Sequence, residues 1–107
     1  MASSFTENDV THDKAEKRFY IQLPSGQKAF INYEVSPEGI FDMWHTEVPE
    51  ECRGKGIASI LASKAITDLA VSDNSKSVLL SCTYLQHYYK KNSDKFASIT
   101  GKKIKAP

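Results

Sequence analysis

The sequence predicts an α+β (α/β) fold: a mixed, mostly antiparallel sheet, one long helix crossing over to a parallel strand, and a short C-terminal helix. Three observations carry this reading. Apolar residues alternate with polar ones at Phe19, Ile21 and Leu23 and again at Ala29, Ile31, Tyr33 and Val35, with turn residues between. Ile57, Leu61, Ala65 and Leu69, together with Ala58, Ala62 and Ile66, recur at the spacing of a buried helix face. Val78, Leu79 and Leu80 form a short, continuously apolar run, which suits a strand covered on both faces.

Each element follows from local chemistry. Residues 1–14 are polar and read as a flexible arm before one domain over 15–107. The first strand ends at Pro24-Ser25-Gly26-Gln27, a turn, and the second at Ser36-Pro37-Glu38-Gly39. A third strand over 40–48 completes an antiparallel meander, with Met43 and Trp44 read as core, and Pro49 stops its ladder. The long helix spans about 54–71, and the run at 78–80 is its parallel partner strand, reached by a right-handed crossover. That handedness puts the start of the helix at the C-terminal end of the third strand, where ligands of parallel units collect. Residues 84–91 form a short helix and residues 96–99 a final edge strand. Lys102, Lys103, Ile104 and Lys105 read as a solvated basic tail.

Composition narrows the function classes. At 107 residues the chain holds one core, and a net charge of +1 argues against a nucleic-acid or membrane footprint. No apolar run approaches the ~20 residues of a membrane span, and the start lacks a charged-then-apolar signal. An intracellular protein, cytoplasmic or nuclear, is expected. Cys52 and Cys82 are expected as free thiols, and the scattered histidines offer no metal site.

Arg53-Gly54-Lys55-Gly56 opens the long helix. The first turn of a helix presents unpaired N–H groups and partial positive charge, and glycines let an anion approach them. Arg53 and Lys55 add full charges, so the loop suits a phosphate or pyrophosphate. The alternative is plain turn chemistry, with glycine supplying unusual backbone angles. The dinucleotide fingerprint fails because Ser59 stands at its third glycine, and the P-loop spacing is absent.

Arg53-Gly54-Lys55-Gly56-Ile57-Ala58 resembles the Arg/Gln-x-x-Gly-x-Gly/Ala motif of the GNAT superfamily of N-acetyltransferases. Joined with His45-Thr46-Glu47-Val48-Pro49 and Cys82-Thr83-Tyr84, it is similar to the small N-acetyltransferase domain-containing proteins, a minimal GNAT fold of about this length. The resemblance implies acetyl-CoA, or coenzyme A, as cofactor. Its pantetheine arm would lie along Thr46, Glu47, Val48 and Pro49. Its pyrophosphate would meet Arg53, Gly54, Lys55, Gly56, Ile57, Ala58 and Ser59, and its other phosphates Lys91 and Asn92. Ala58 stands where many members have glycine. Two helices that wall the acceptor groove in full-length members have no counterpart, so an open groove is expected.

Acetyl transfer to an amine needs a proton acceptor for the amine and a proton donor for the leaving sulfur. Cys82 is either a nucleophile, a base, or a small core residue. By resemblance His45 lies near it and draws a proton; otherwise it orients the strand. Tyr84, Tyr88 and Tyr89 are candidate acids, and Tyr88 is chosen because it shares a helix face with Tyr84; core packing is the alternative. Lys91 and Asn92 are otherwise a solvated helix end, and Glu47, Glu50 and Glu51 a solvated acidic patch. The leading expectation is thus an acetyl-CoA-dependent N-acetyltransferase, monomer or homodimer, acting on a protein lysine or N-terminus. The alternative is a non-catalytic acyl-CoA-binding module that presents a surface to a protein partner.

Overall fold

Thr11–Asp13 (β1), Arg18–Gln22 (β2), Lys28–Val35 (β3) and Ile40–Glu47 (β4) pair antiparallel in sequence order. Ser77–Leu80 (β5) and Ile104–Lys105 (β6) extend the same sheet in parallel. This computed structural model describes residues 5–50, 56–72, 75–100 and 104–106, with the backbone alone over 98–100. The expectations placed on Glu51, Cys52, Arg53, Gly54, Lys55, Lys102 and Lys103 lie outside the described residues.

The two-residue period of a strand sends Phe19, Ile21, Ala29, Ile31, Tyr33 and Met43 to one face, each at most 3 % exposed. Ile57–Val71 (α1) covers that face with Ile57, Leu61, Ala65, Ile66 and Leu69. Thr83–Lys91 (α2) and Ser93–Thr100 (α3) add Leu85, Tyr88 and Phe96 to the same core. The meander, the crossover and the parallel β4–β5 pair match the minimal GNAT architecture. Among the described residues no helix is long and apolar enough to cross a membrane.

Two turns carry backbone conformations that matter later. Gly39, between β3 and β4, has φ +88°, and a Cβ there would come 3.3 Å from Lys76 Cγ. In the β1–β2 turn the left-handed position is held by Lys17, at φ +56°. A side chain there costs about 1–2 kcal/mol relative to the right-handed region. The Lys17 carbonyl accepts the Tyr33 N–H at 2.9 Å, which enforces the geometry. The Lys17–Glu34 ion pair, 3.5 Å and largely exposed, contributes under about 1 kcal/mol and does not offset the strain.

Four expectations are corrected. The N-terminal arm is not wholly flexible, since Glu7–Asp9 forms a 3-10 turn and β1 pairs with β2. Its polar residues are used locally: Thr6 N–H donates to Asp9 Oδ2 at 2.7 Å and Asn8 N–H to Thr6 Oγ1 at 3.2 Å. Glu7 then docks the segment, accepting the buried Ser63 hydroxyl at 2.7 Å with Lys95 Nζ at 3.9 Å.

Residues 96–99 belong to α3 rather than to an edge strand. Lys95 N–H donates to Asn92 O at 2.9 Å, which starts the helix, and buried Phe96 packs on the Tyr88 and Tyr89 rings. The edge is occupied instead by β6, whose Ile104 is buried, so the tail is not simply solvated. Met43 is core as expected, whereas Trp44 is 46 % exposed. Trp44 turns away from the helices and stacks on His45. Smaller shifts occur at element ends: β4 stops at Glu47, and α1 starts at Ile57 with Gly56 as its N-cap.

Candidate active site

β3 and β4 pair Ile31 with Thr46 and Asn32 with His45, and then Tyr33 with Met43. Trp44 is therefore an extra residue on β4, a β-bulge. Plain alternation from Met43 would turn His45 toward the helices and Thr46 away; the extra residue reverses both. Thr46 lies on the helix side, opposite Ile31, where its Oγ1 accepts the Cys82 thiol at 3.3 Å. His45 turns to the bare face of the sheet. There it stacks on Trp44 at 5.4 Å, tilts against Phe30 at 6.1 Å and sets Nε2 3.3 Å from Glu47 Oε1. The structure thus separates His45 from Cys82, and no hydrogen bond joins them.

The bulge also marks the end of the β4–β5 ladder. Met43–Leu80 is the last parallel pair, and Met43 O accepts both Ser81 N–H (3.1 Å) and Cys82 N–H (3.0 Å). Past this point residues 44–47 of β4 have no ladder on their β5 side among the described residues. Cys82 is a free thiol two residues beyond β5, not its last residue. It is the N-cap of α2, where helix N–H groups present partial positive charge.

Tyr84, His87, Tyr88 and Lys91 stand three and four residues apart, so they share one face of α2. Across from them is Ser59, in the first turn of α1. With Asn92 these residues enclose a cleft of about 420 Å³. The cleft gathers five residues singled out by sequence: Ser59, Tyr84, Tyr88, Lys91 and Asn92. It adds His87, which the spacing that selected Tyr88 also reaches and which sequence reasoning passed over.

The tyrosines differ in setting. Tyr88 is buried, with its ring edge on Phe96 and its face stacked on Tyr84 at 6.3 Å. Tyr84 is 38 % exposed to the cleft. Burial first, then Tyr88 and the Cys82 thiol, push its phenol above the ordinary tyrosine range. Tyr84, rather than Tyr88, is the phenol with an open face on the cleft.

The remaining candidates are placed as follows. Asn92 caps α2, its Nδ2 donating to Tyr88 O at 2.8 Å, while Lys91 is exposed on the rim. Ile57 is buried, and Ala58 is half-buried beside it. Gly56, the left-handed N-cap of α1, has φ +74° with nothing within 4 Å of a notional Cβ. Val48 packs partly on the core, Pro49 is half-buried, and Glu47 is exposed beside His45. Among the described residues no group of His, Cys, Asp and Glu gathers to hold a metal ion.

The chain matches a family model described as GCN5-related N-acetyl-transferase over residues 18–99. Protein NATD1 of Danio rerio is 43% identical over 84 residues, covering 78% of this chain and 74% of that protein. Protein NATD1 of Homo sapiens is 40% identical over 84 residues, covering 78% and 73%. The same protein of Xenopus tropicalis is 39% identical over the same length, covering 78% and 75%. On these matches and its fold, the chain belongs to the GCN5-related N-acetyltransferase family.

Proposed function

We propose that the protein binds acetyl-CoA and transfers its acetyl group to an amine of a protein or peptide, a lysine or an N-terminus. The observation that carries this is the cleft between the first turn of α1 and the 84/87/88/91 face of α2, with Tyr84 on its wall two residues after Cys82. The residues present fit the cofactor. A diphosphate would meet the first N–H groups of α1 after its N-cap Gly56, and Ser59, His87 and Lys91 would add donors nearby. The unladdered side of residues 44–47 offers backbone N–H and C=O groups to an extended amide arm.

When bound, acetyl-CoA supplies an acetyl group activated as a thioester. Cys82, beside Thr46 Oγ1, takes the proton of the incoming amine as a thiolate, its own thiol proton having first left to solvent. Tyr84 keeps a proton on Oη at the cleft wall, because burial favours its neutral form. We assign the donor role to Tyr84 in place of Tyr88, whose ring is committed to the core.

One observation favours a second reading, a non-catalytic acyl-CoA-binding module. The bulge leaves Cys82 paired to a hydroxyl and removes the imidazole to the other face. Calorimetric titration with CoA, paired with acetyl transfer to a panel of lysine-bearing peptides, separates the two for wild type and Cys82→Ala. Catalysis predicts binding by both and transfer by wild type alone. Binding without transfer by wild type selects the module, and no binding by wild type removes both readings.

A further inference from the structure

The other end of α1 closes a second cavity, about 370 Å³ in volume. Tyr33, Phe41 and Leu69 give it an apolar floor, and His12, Lys14 and Lys17 a polar side. It shares no lining residue with the cleft at Ser59, and ten residues of helix, roughly 15 Å, separate Leu69 from Ser59. Its size falls in the range of small-molecule sites.

The electrostatics favour an anion. Lys14 makes no ion pair among the described residues, and its charge bears on His12, which burial and Lys14 together hold below its ordinary pKa. Among the described residues the wall has one carboxylate, Asp68, paired with Lys64 at 3.4 Å, while the Asp13 charge also bears on His12 and Tyr33. At the C-terminal end of α1, Leu69 O accepts the Ser75 hydroxyl at 2.6 Å. His12 Nε2 and Tyr33 Oη bond to each other at 2.6 Å and so form a fixed polar wall.

Lys17 supplies an independent argument. At Gly26, Gly39 and Gly56 this chain meets a positive φ with glycine. At Lys17 it keeps a long cationic side chain in the same backbone region, on the rim of this cavity. The exposed pair with Glu34 is too weak to account for that choice. A ligand at the rim accounts for it.

We propose that this cavity binds a small carboxylate with an apolar body, its carboxylate held by Lys14 and Lys17 and its body against Phe41, Leu69 and Tyr33. The test is a titration of the full chain with sodium benzoate at constant ionic strength, read by amide chemical shifts. Benzoate should shift His12, Tyr33 and Leu69 and saturate, while benzyl alcohol binds about five-fold more weakly and benzylamine leaves these signals in place. Lys14→Ala and Lys17→Gly should each weaken benzoate by a similar factor. Lys17→Gly should do so with an unchanged or raised melting temperature, because it relieves the backbone strain. Equal binding of benzoate and benzyl alcohol would overturn the proposal. So would unaltered binding by both lysine variants, shifts confined to Ser59 and Tyr84, or no shifts at all.

Discussion

Removing a single oxygen at Tyr33 isolates the bond that ties β1 to the core. Tyr33 is 3 % exposed, and its ring packs against His12, Phe19 and Phe41 at centroid distances of 5.6–5.8 Å. Tyr33→Phe preserves those contacts and deletes the 2.6 Å hydrogen bond to His12 Nε2. A neutral bond of this kind contributes about 1 kcal/mol net, and an orphaned buried partner raises the cost toward about 3 kcal/mol. His12 is only half-buried and borders a cavity that admits water, so the lower figure applies. At about 2.1 cal/mol/K per residue, a chain of this length unfolds with roughly 0.22 kcal/mol/K, so the loss lowers Tm by about 4–5 °C. Scanning calorimetry of wild type, Tyr33→Phe, His12→Gln and the double variant measures this as a coupling energy. A drop below about 1 °C, or an equal drop with His12 already replaced, refutes the assigned role.

Other perturbations test other joints. Gly39→Ala should cost about 1–2 kcal/mol in a urea titration, because φ is +88° and Lys76 Cγ lies 3.3 Å from the new methyl. Gly26→Ala, at φ +94° in open space, should cost less, and equal costs would dismiss the Lys76 clash. Ser63→Ala should remove about 1 kcal/mol and speed amide exchange in Thr11–Asp13, since its hydroxyl holds Glu7; unchanged exchange would mean that β1 docks without it. Stability should fall as pH drops below 6.5, because the unfolded chain protonates a histidine that folded His12 resists. It should also fall as pH rises past 10, where unfolding frees Tyr33 and Tyr84 to ionise. His12→Gln should flatten the acid limb alone, as read from melting temperatures across pH.

What the sequence made legible was the periodic part. Alternation placed β2, β3 and β4, and the helical repeat and the run at Val78 placed α1 and β5. The errors share a cause: residues whose local preference was outweighed by a distant partner. Phe96 belongs to a group with high strand propensity, yet its ring fills space beside Tyr88 and Tyr89 and forms part of a helix. Thr6, Glu7 and Asp9 look like solvent-loving residues until Ser63, 56 positions later, is seen to need an acceptor. At the site, the i, i+3, i+4 spacing made the Tyr84–Lys91 face readable from sequence. The Thr46–Cys82 contact was not, because one inserted residue at Trp44 decides which of two neighbours meets the thiol. The adjacent apolar pair Met43-Trp44, which breaks alternation, was the available clue.

The order of elements along the chain has a consequence for synthesis. Residues through Glu47 contain the whole antiparallel meander, joined by short turns, so those strands can pair as soon as they leave the ribosome. At that moment Phe19, Ile21, Ile31, Tyr33 and Met43 form an uncovered apolar face, and β4 carries an unpaired edge. The cover, α1, begins at Ile57, and the edge is sealed only when Ser77–Leu80 emerges. Between those events lie about thirty residues of translation, one to a few seconds at ordinary rates. In that interval the nascent chain exposes both a greasy surface and an open strand edge, the features that chaperones bind and that seed mispairing between neighbouring chains.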